Sequence, residues 1–232
     1  YFSFIQYQIK QIVDLSYSTI NLFPSLVHMF DVNGFDQIQN ELIDYAYDFK
    51  EREPKGESIS NQGGWHSPDF YVNDECDTLH SFLINCLAGF PVIDESINIK
   101  ISAWVNINKP GDYNTKHNHP DCNLAGVLWI KAPKDSGNIV FDNPTAFQSN
   151  TEIDSYTTDF KDQFKFYQSY FFPPTEGRIL VFPSHLVHKV EENKSKEDRI
   201  SVSFNITLSG GRMKRRGNVS IPRWDFDWSG NK

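Results

Sequence analysis

The sequence offers little from which to build a cross-linked or thiolate-metal framework. Its 232 residues include three cysteines, Cys76, Cys86 and Cys122, with no CxxC pair. An odd, scattered set disfavours disulfide scaffolds and cysteine-ligated zinc, and a reducing compartment fits best. Long apolar runs are also missing, and none approaches the roughly 20 residues of a membrane span. The opening YFSFIQYQIK lacks the charged leader and apolar stretch of a signal peptide. A cytoplasmic protein is therefore expected, and a first residue other than Met points to a trimmed or processed start.

Positive charge is in deficit, with 22 basic against 30 acidic residues and a net charge of −8. That balance argues against a broad phosphate-binding surface. The basic cluster RMKRR (212–216) has no stacking platform beside it and reads as a solvated tail. Neither nucleic acid nor membrane is an expected partner.

Aromatic residues, by contrast, make up 15% of the chain, and they suit pleated, half-buried strands. The length fits one domain spanning 1–232. After an N-terminal extension (1–20), residues 21–95 read as a helical buttress. NLFPSLVHMF (21–30) is a short extended segment broken by Pro24. Ile38, Leu42, Tyr45, Ala46 and Phe49 then recur at three- and four-residue steps, which predicts an amphipathic helix from Asp36 to about Arg52, stopped by Pro54. A polar loop carrying Trp65 follows. A second helix is predicted over 74–88, with Asp74 as N-cap and Leu79, Phe82, Leu83, Cys86 and Leu87 on one face.

Beyond Pro91 the period changes to two. Ile97, Ile99, Ile101 and Ala103 alternate with polar residues, and strands are predicted at 124–132, 138–142, 178–182 and 199–208. The polar, aromatic stretch 145–173 reads as an excursion over the barrel mouth. This pattern is mostly β with flanking helices: N-terminal helices buttress a β-sandwich or cupin-like jelly-roll core over 96–210, and 211–232 forms a tail.

Four of the seven histidines gather in two places. His117-Asn-His119-Pro-Asp121 lies between predicted strands, and His185-Leu-Val-His188 follows the strand RILVF. A non-haem iron(II) centre of the oxygenase type needs two imidazoles and usually a carboxylate on one face of the metal, the other face staying open. A His-x-Asp unit supplies two of these from one strand end, because side chains at i and i+2 point the same way. A distant strand must bring the remaining His. Arg199-Ile-Ser201 then opens the last long strand. A guanidinium offers a dicarboxylate cosubstrate two parallel hydrogen bonds, and a hydroxyl at i+2 faces the same side. Asn205 has the same parity as Arg199 and points into the barrel. Asn106 and Asn114 are candidates for hydrogen bonding to the cosubstrate, with turn capping around Pro110-Gly111 as the commoner role.

These segments resemble the 2-oxoglutarate/iron(II)-dependent dioxygenase superfamily. The resemblance is closest to an oxygenase branch of bacteria and phages. It runs through NLFPSLVHMF, SNQGGWHS (60–67), HNHPDCNLAGVLWIKAP (117–133), SGNIVFDNP (136–144), GRILVFPSHLVHKV (177–190) and DRISVSFNI (198–206). It implies a double-stranded β-helix with Fe(II), and with 2-oxoglutarate and O2 as cosubstrates. The implied activity is hydroxylation of a small-molecule or peptide substrate, releasing succinate and CO2. The branch motif resembles His-x-His-Pro, so two ligand sets stand: His119, Asp121 and His188, or His117, His119 and His188. In the second set Asp121 would orient an imidazole.

Blander readings apply elsewhere. His185 is expected to pack or line the mouth, and His28, His66 and His80 to be structural or exposed. Trp65 and Trp129 are expected in the core, and Cys122 is not read as a nucleophile. Two rival functions keep the same core: a cupin-like dioxygenase or isomerase that does not use 2-oxoglutarate, and a non-catalytic jelly-roll binding module. A carboxylate clamp at Arg199 separates the first rival from the oxygenase.

Overall fold

The computed structural model describes residues 18–19, 24–72, 79, 82–85, 97–145 and 153–210. Most of the predicted N-terminal extension, the C-terminal tail with its basic cluster, Cys76, Cys86, and much of the predicted helix over 74–88 lie outside these residues. Residues 82–85 of that segment are helical, and Leu79 and Leu83 are buried.

The elements follow in the order β1 (His28–Asp31), α1 (Asp36–Arg52), β2 (Asn61–Gln62), β3 (Trp65–His66), β4 (Phe70–Tyr71), β5 (Ile97–Asn108), β6 (Tyr113–His117), β7 (Leu124–Lys131), β8 (Ile139–Asp142), α2 (Thr158–Phe164), β9 (Ser169–Phe172), β10 (Arg178–Pro183), β11 (His188–Val190) and β12 (Arg199–Gly210). They form two antiparallel sheets. The larger runs β1-β10-β7-β12-β5-β3, with β4 also on β5, and the smaller runs β2-β6-β11-β8-β9. This is the mostly β jelly-roll architecture the alternation called for, with α1 packed outside it.

The period of two divides the core. On the outer face of the larger sheet, Ile101, Ala103, Val105 and Ile107 of β5 join Ile200, Val202, Phe204 and Ile206 of β12 and Leu128 and Ile130 of β7. Leu42, Ala46 and Phe49 of α1 complete this layer; they recur at four- and three-residue steps and so fall on one face. The helix ends where predicted, with the Glu53 N–H donating to Phe49 O. Trp65 joins the layer as expected, its ring edge-on to Phe49 at 5.7 Å and its Nε1 donating to Glu53 O. Gly126 of β7 faces this layer, and a Cβ there would lie 2.3 Å from the Phe204 ring.

The opposite face of the same strands looks between the sheets. Ala125, Val127, Trp129, Ile139, Phe141, Leu180, Phe182 and Leu186 form a second, aromatic-rich cluster there. The stretch 145–173 does form elements in its described part: α2, capped by the Thr157 hydroxyl, and β9 on the edge of the smaller sheet.

Candidate active site

The residues left over from the outer face of β5 and β12 build the floor of the site. The two strands pair along their full length, placing Arg199 opposite Asn108, Ser201 opposite Asn106 and Ser203 opposite Trp104. Alternation sends all six side chains inward, where they line one pocket together with Trp129, Phe182 and the three histidines. Asn106 Nδ2 donates to Ser203 Oγ at 3.0 Å, which ties the two strands across the pocket floor.

The smaller sheet supplies the histidines. His117 ends β6 and His188 begins β11, and the two are paired residues in the antiparallel ladder. Their rings lie 4.3 Å apart, centroid to centroid. His119 lies just beyond the strand, on a turn whose geometry is set from across the barrel. Its N–H donates to Ser184 O, and the Ser184 hydroxyl donates to Cys122 O at 2.7 Å. The His119 ring consequently stacks on His188 at 5.2 Å and 7°. One nitrogen from each of His117, His119 and His188 falls within 4.8 Å of the others, the geometry of a three-imidazole metal site.

Main-chain carbonyls fix which nitrogens are available. His117 Nδ1 lies 2.8 Å from Thr115 O, and His188 Nδ1 lies 2.9 Å from Leu186 O. A carbonyl only accepts, so each Nδ1 carries the proton and each Nε2 keeps its lone pair. Burial pushes the His119 imidazole down to about 4 and His188 down to about 3, with His117 adding to both shifts. His117 is lowered chiefly by burial, against the pull of the Thr115 carbonyl. Three neutral imidazoles at physiological pH are three lone pairs ready for a divalent cation.

A column of rings backs the cluster. Trp104 stacks against His119 at 6.0 Å, and His66 stacks on the far side of Trp104 at 5.4 Å. Phe182 meets His188 edge-on at 4.9 Å. Asn205 lies beside the His119 ring, where its side chain acts to raise the basicity that burial lowers. Its Oδ1 is buried and makes no hydrogen bond of regular geometry.

Arg199 is 1% exposed at the inner end of the pocket, and burial brings its guanidinium down to about 10. Nη1 donates to Ser136 O and approaches Glu191 O at 3.2 Å and Gly137 O at 3.5 Å. Nη2 is buried without a partner. No carboxylate among the described residues forms an ion pair with it. An unpaired donor on a buried cation is costly, so the pocket is built for an anionic ligand reaching from the histidines to Arg199.

Most of the sequence-derived candidates converge here. His117, His119, His188, Arg199, Ser201, Asn106 and Asn114 all line the pocket. Asn106 and Asn114 belong to strands β5 and β6 and do not cap the Pro110-Gly111 turn. Asp121 stands apart from the histidine cluster, on the exposed turn after Pro120. His185 is exposed, as expected of a mouth residue. His66, Trp104, Asn108 and Ser203 are components the sequence reading did not single out for the site. Their signal was present as inward parity on β5 and β12, apart from His66, which is placed by the short pairing of β3 with β5. Trp129 is buried as expected, and it also lines the pocket.

Residues 102–205 match the model of a family described as "Putative 2OG-Fe(II) oxygenase". The matched segment, which holds the pocket strands and all three clustered histidines, is similar to the 2-oxoglutarate/iron(II) oxygenases. The chain has the fold of solved structures of that kind. It is similar to a Pseudomonas putida prolyl-4-hydroxylase at 12% identity and a TM-score of 0.55, covering 80% of this chain and 94% of that one. An oxidoreductase of the 2OG-Fe(II) oxygenase family from Burkholderia pseudomallei matches at 13% identity and a TM-score of 0.51, over 80% and 88% of the two chains. A Trichoplax adhaerens prolyl hydroxylase, solved with a hypoxia inducible factor peptide fragment, matches at 11% identity and 0.51, over 77% and 83%. Identities this low speak for a shared double-stranded β-helix fold. No curated protein matches the sequence. The matched family description implies Fe(II), 2-oxoglutarate and O2, and the unpaired Arg199 Nη2 and the three neutral imidazoles fit that set. Among the described residues no helix is long and apolar enough to cross a membrane.

Proposed function

We propose that the chain is a single-domain, cytoplasmic dioxygenase that hydroxylates a small molecule or peptide, with iron held by His117, His119 and His188. The observation that carries the ligand set is the convergence of three imidazole nitrogens within 4.8 Å, with Asp121 outside it. When bound, iron would use O2 as the oxidant, with 2-oxoglutarate supplying two electrons and leaving as succinate and CO2 while the other oxygen atom hydroxylates the substrate.

The chain's own part is binding, orientation and exclusion of water. The Thr115 and Leu186 carbonyls hold the His117 and His188 rings in the tautomer that presents Nε2. Arg199 Nη2 and the Ser201 hydroxyl would hold the distal carboxylate of 2-oxoglutarate. Asn106 and Asn114 supply further polar contacts along the pocket, and Asn205 orients His119. Trp104, Trp129 and Phe182 keep the space between dry, which strengthens each polar contact. An all-histidine set leaves both positive charges of the metal uncompensated by protein, so an anionic cosubstrate is held more firmly at the metal end.

Anaerobic titration of metal-free protein with Fe(II) and then 2-oxoglutarate tests this reading. A visible charge-transfer band that weakens in Arg199→Ala is the expected result. A folded, iron-loaded protein without the band would favour the cupin-like alternative, and no iron uptake would favour a binding module.

A further inference from the structure

We propose that Gly137, together with the Asn138–Glu191 pair, positions the cosubstrate's distal carboxylate by holding Arg199 in a cradle of main-chain carbonyls. The inference rests on the assignment of Arg199 made above and adds residues that touch neither metal nor cosubstrate.

A buried guanidinium is usually steadied by a carboxylate, which would also neutralise it and compete with an incoming anion. Here the steadying groups are neutral. Nη1 points at the carbonyls of Ser136, Gly137 and Glu191, while Nη2 is left without a partner. The cation is thus fixed in orientation and keeps its full charge for a ligand. The acidic group whose field reaches it is Asp112, which raises its basicity against the larger effect of burial.

The cradle exists because two stretches of backbone approach unusually closely. Gly137 has φ +93°, and a Cβ there would lie 2.3 Å from Glu191 O and 2.8 Å from Glu192 O. Both the dihedral and the contact require glycine. The stretches are then locked side by side. Glu191 N–H donates to Asn138 O at 2.8 Å, and Glu191 Oε2 accepts from Asn138 Nδ2 at 2.8 Å and from Asn138 N at 3.3 Å. The Glu191 carboxylate is thereby engaged with Asn138 while its carbonyl serves Arg199. Any side chain at position 137 forces the 136–137 carbonyls away from Glu191 and turns the guanidinium with them.

The test measures 2-oxoglutarate and Mn(II) affinity of the full chain, separately, for wild type, Gly137→Ala, Asn138→Ala and Arg199→Met. The expected result is a 2-oxoglutarate affinity weakened about 10- to 100-fold in Gly137→Ala, the scale of a misplaced orienting group. A smaller loss in the same direction is expected for Asn138→Ala, with Mn(II) affinity unchanged in both. Should Gly137→Ala fail to fold, Asn138→Ala decides alone. Lower melting temperatures with wild-type 2-oxoglutarate affinity would overturn the cradle as a positioning device. If only Arg199→Met loses binding, the cradle falls and the function of Arg199 stands. If wild type binds Mn(II) but no 2-oxoglutarate, the oxygenase reading falls first.

Discussion

His117 and His188 face each other as a paired position of β6 and β11, and each donates Nδ1–H to the carbonyl two residues before it, Thr115 and Leu186. The near-identical anchoring on two neighbouring strands aims both Nε2 lone pairs into the same space. His119 reaches that space from outside the ladder, held by the Ser184 turn. The histidine cluster is therefore two ladder residues plus one loop residue.

Substitutions should separate the two ligand sets. His117→Ala and His188→Ala are expected to weaken iron binding by more than about 100-fold, beyond what outer-shell changes cost. Asp121→Ala should bind iron nearly as wild type does. Equilibrium dialysis with metal analysis reads this directly, and loss of iron in Asp121→Ala with retention in His117→Ala would reverse the assignment.

Trp104 stacks on His119 and on His66. Removing it should leave the fold intact but free the His119 ring to rotate. Trp104→Ala is expected to cost about tenfold in metal affinity, the low end for an outer-shell group. Trp104→Phe should recover part of the loss, because a smaller ring still packs on the imidazole face. Unchanged affinity in Trp104→Ala would show that the Ser184 turn suffices to orient His119.

Metal-free protein should lose stability in mild acid. Folded His188 and His119 titrate at about 3 and about 4, against an ordinary 6.5 once unfolded. Above 6.5 both states are neutral and these groups make stability independent of pH. Below 6.5 the unfolded chain takes up protons that the folded chain does not, so stability falls progressively until pH passes the folded values. Urea midpoints measured in chelator at pH 7.5, 6, 5 and 4 should decline, and His188→Gln should flatten the decline. Equal midpoints at pH 7.5 and pH 5 in wild type would refute this.

The helix α1 is bound to the barrel through a narrow apolar face. Leu42 is 1% exposed and sits with Ala46 and Phe49 on the outer layer of the larger sheet. Leu42→Ala is expected to cost roughly 2–5 kcal/mol, transfer and cavity effects together. Denaturant unfolding followed by circular dichroism measures it, and a loss below about 1 kcal/mol would mean the helix repacks to fill the gap.

Strands whose two faces meet different environments were legible in the sequence. β5, β7, β10 and β12 each turn apolar residues to α1 or to their own sheet layer. That demand writes a strong pattern, down to the parity that puts Arg199, Ser201 and Asn205 on the inner face. β6 was missed because YNTKH carries no apolar alternation: its outward residues are solvated and its inward ones, such as Asn114 and His117, serve the pocket. The two-residue strands β2, β3 and β4 are too short for any period to show.

The ligand set shows the boundary most clearly. The sequence by itself determined that imidazoles and an arginine would gather in one β-barrel site, because residue type and strand parity restrict what each position can face. It favoured Asp121 over His117 as the third ligand beside His119 and His188 and kept His117 as the alternative, since the i, i+2 rule holds only inside a strand. Only the tertiary structure decided their placement: β6 stops at His117, the Ser184 carbonyl accepts from the His119 N–H, and Asp121 is left exposed on the turn. That choice depends on a hydrogen bond between segments far apart in the chain, and no local pattern encodes it.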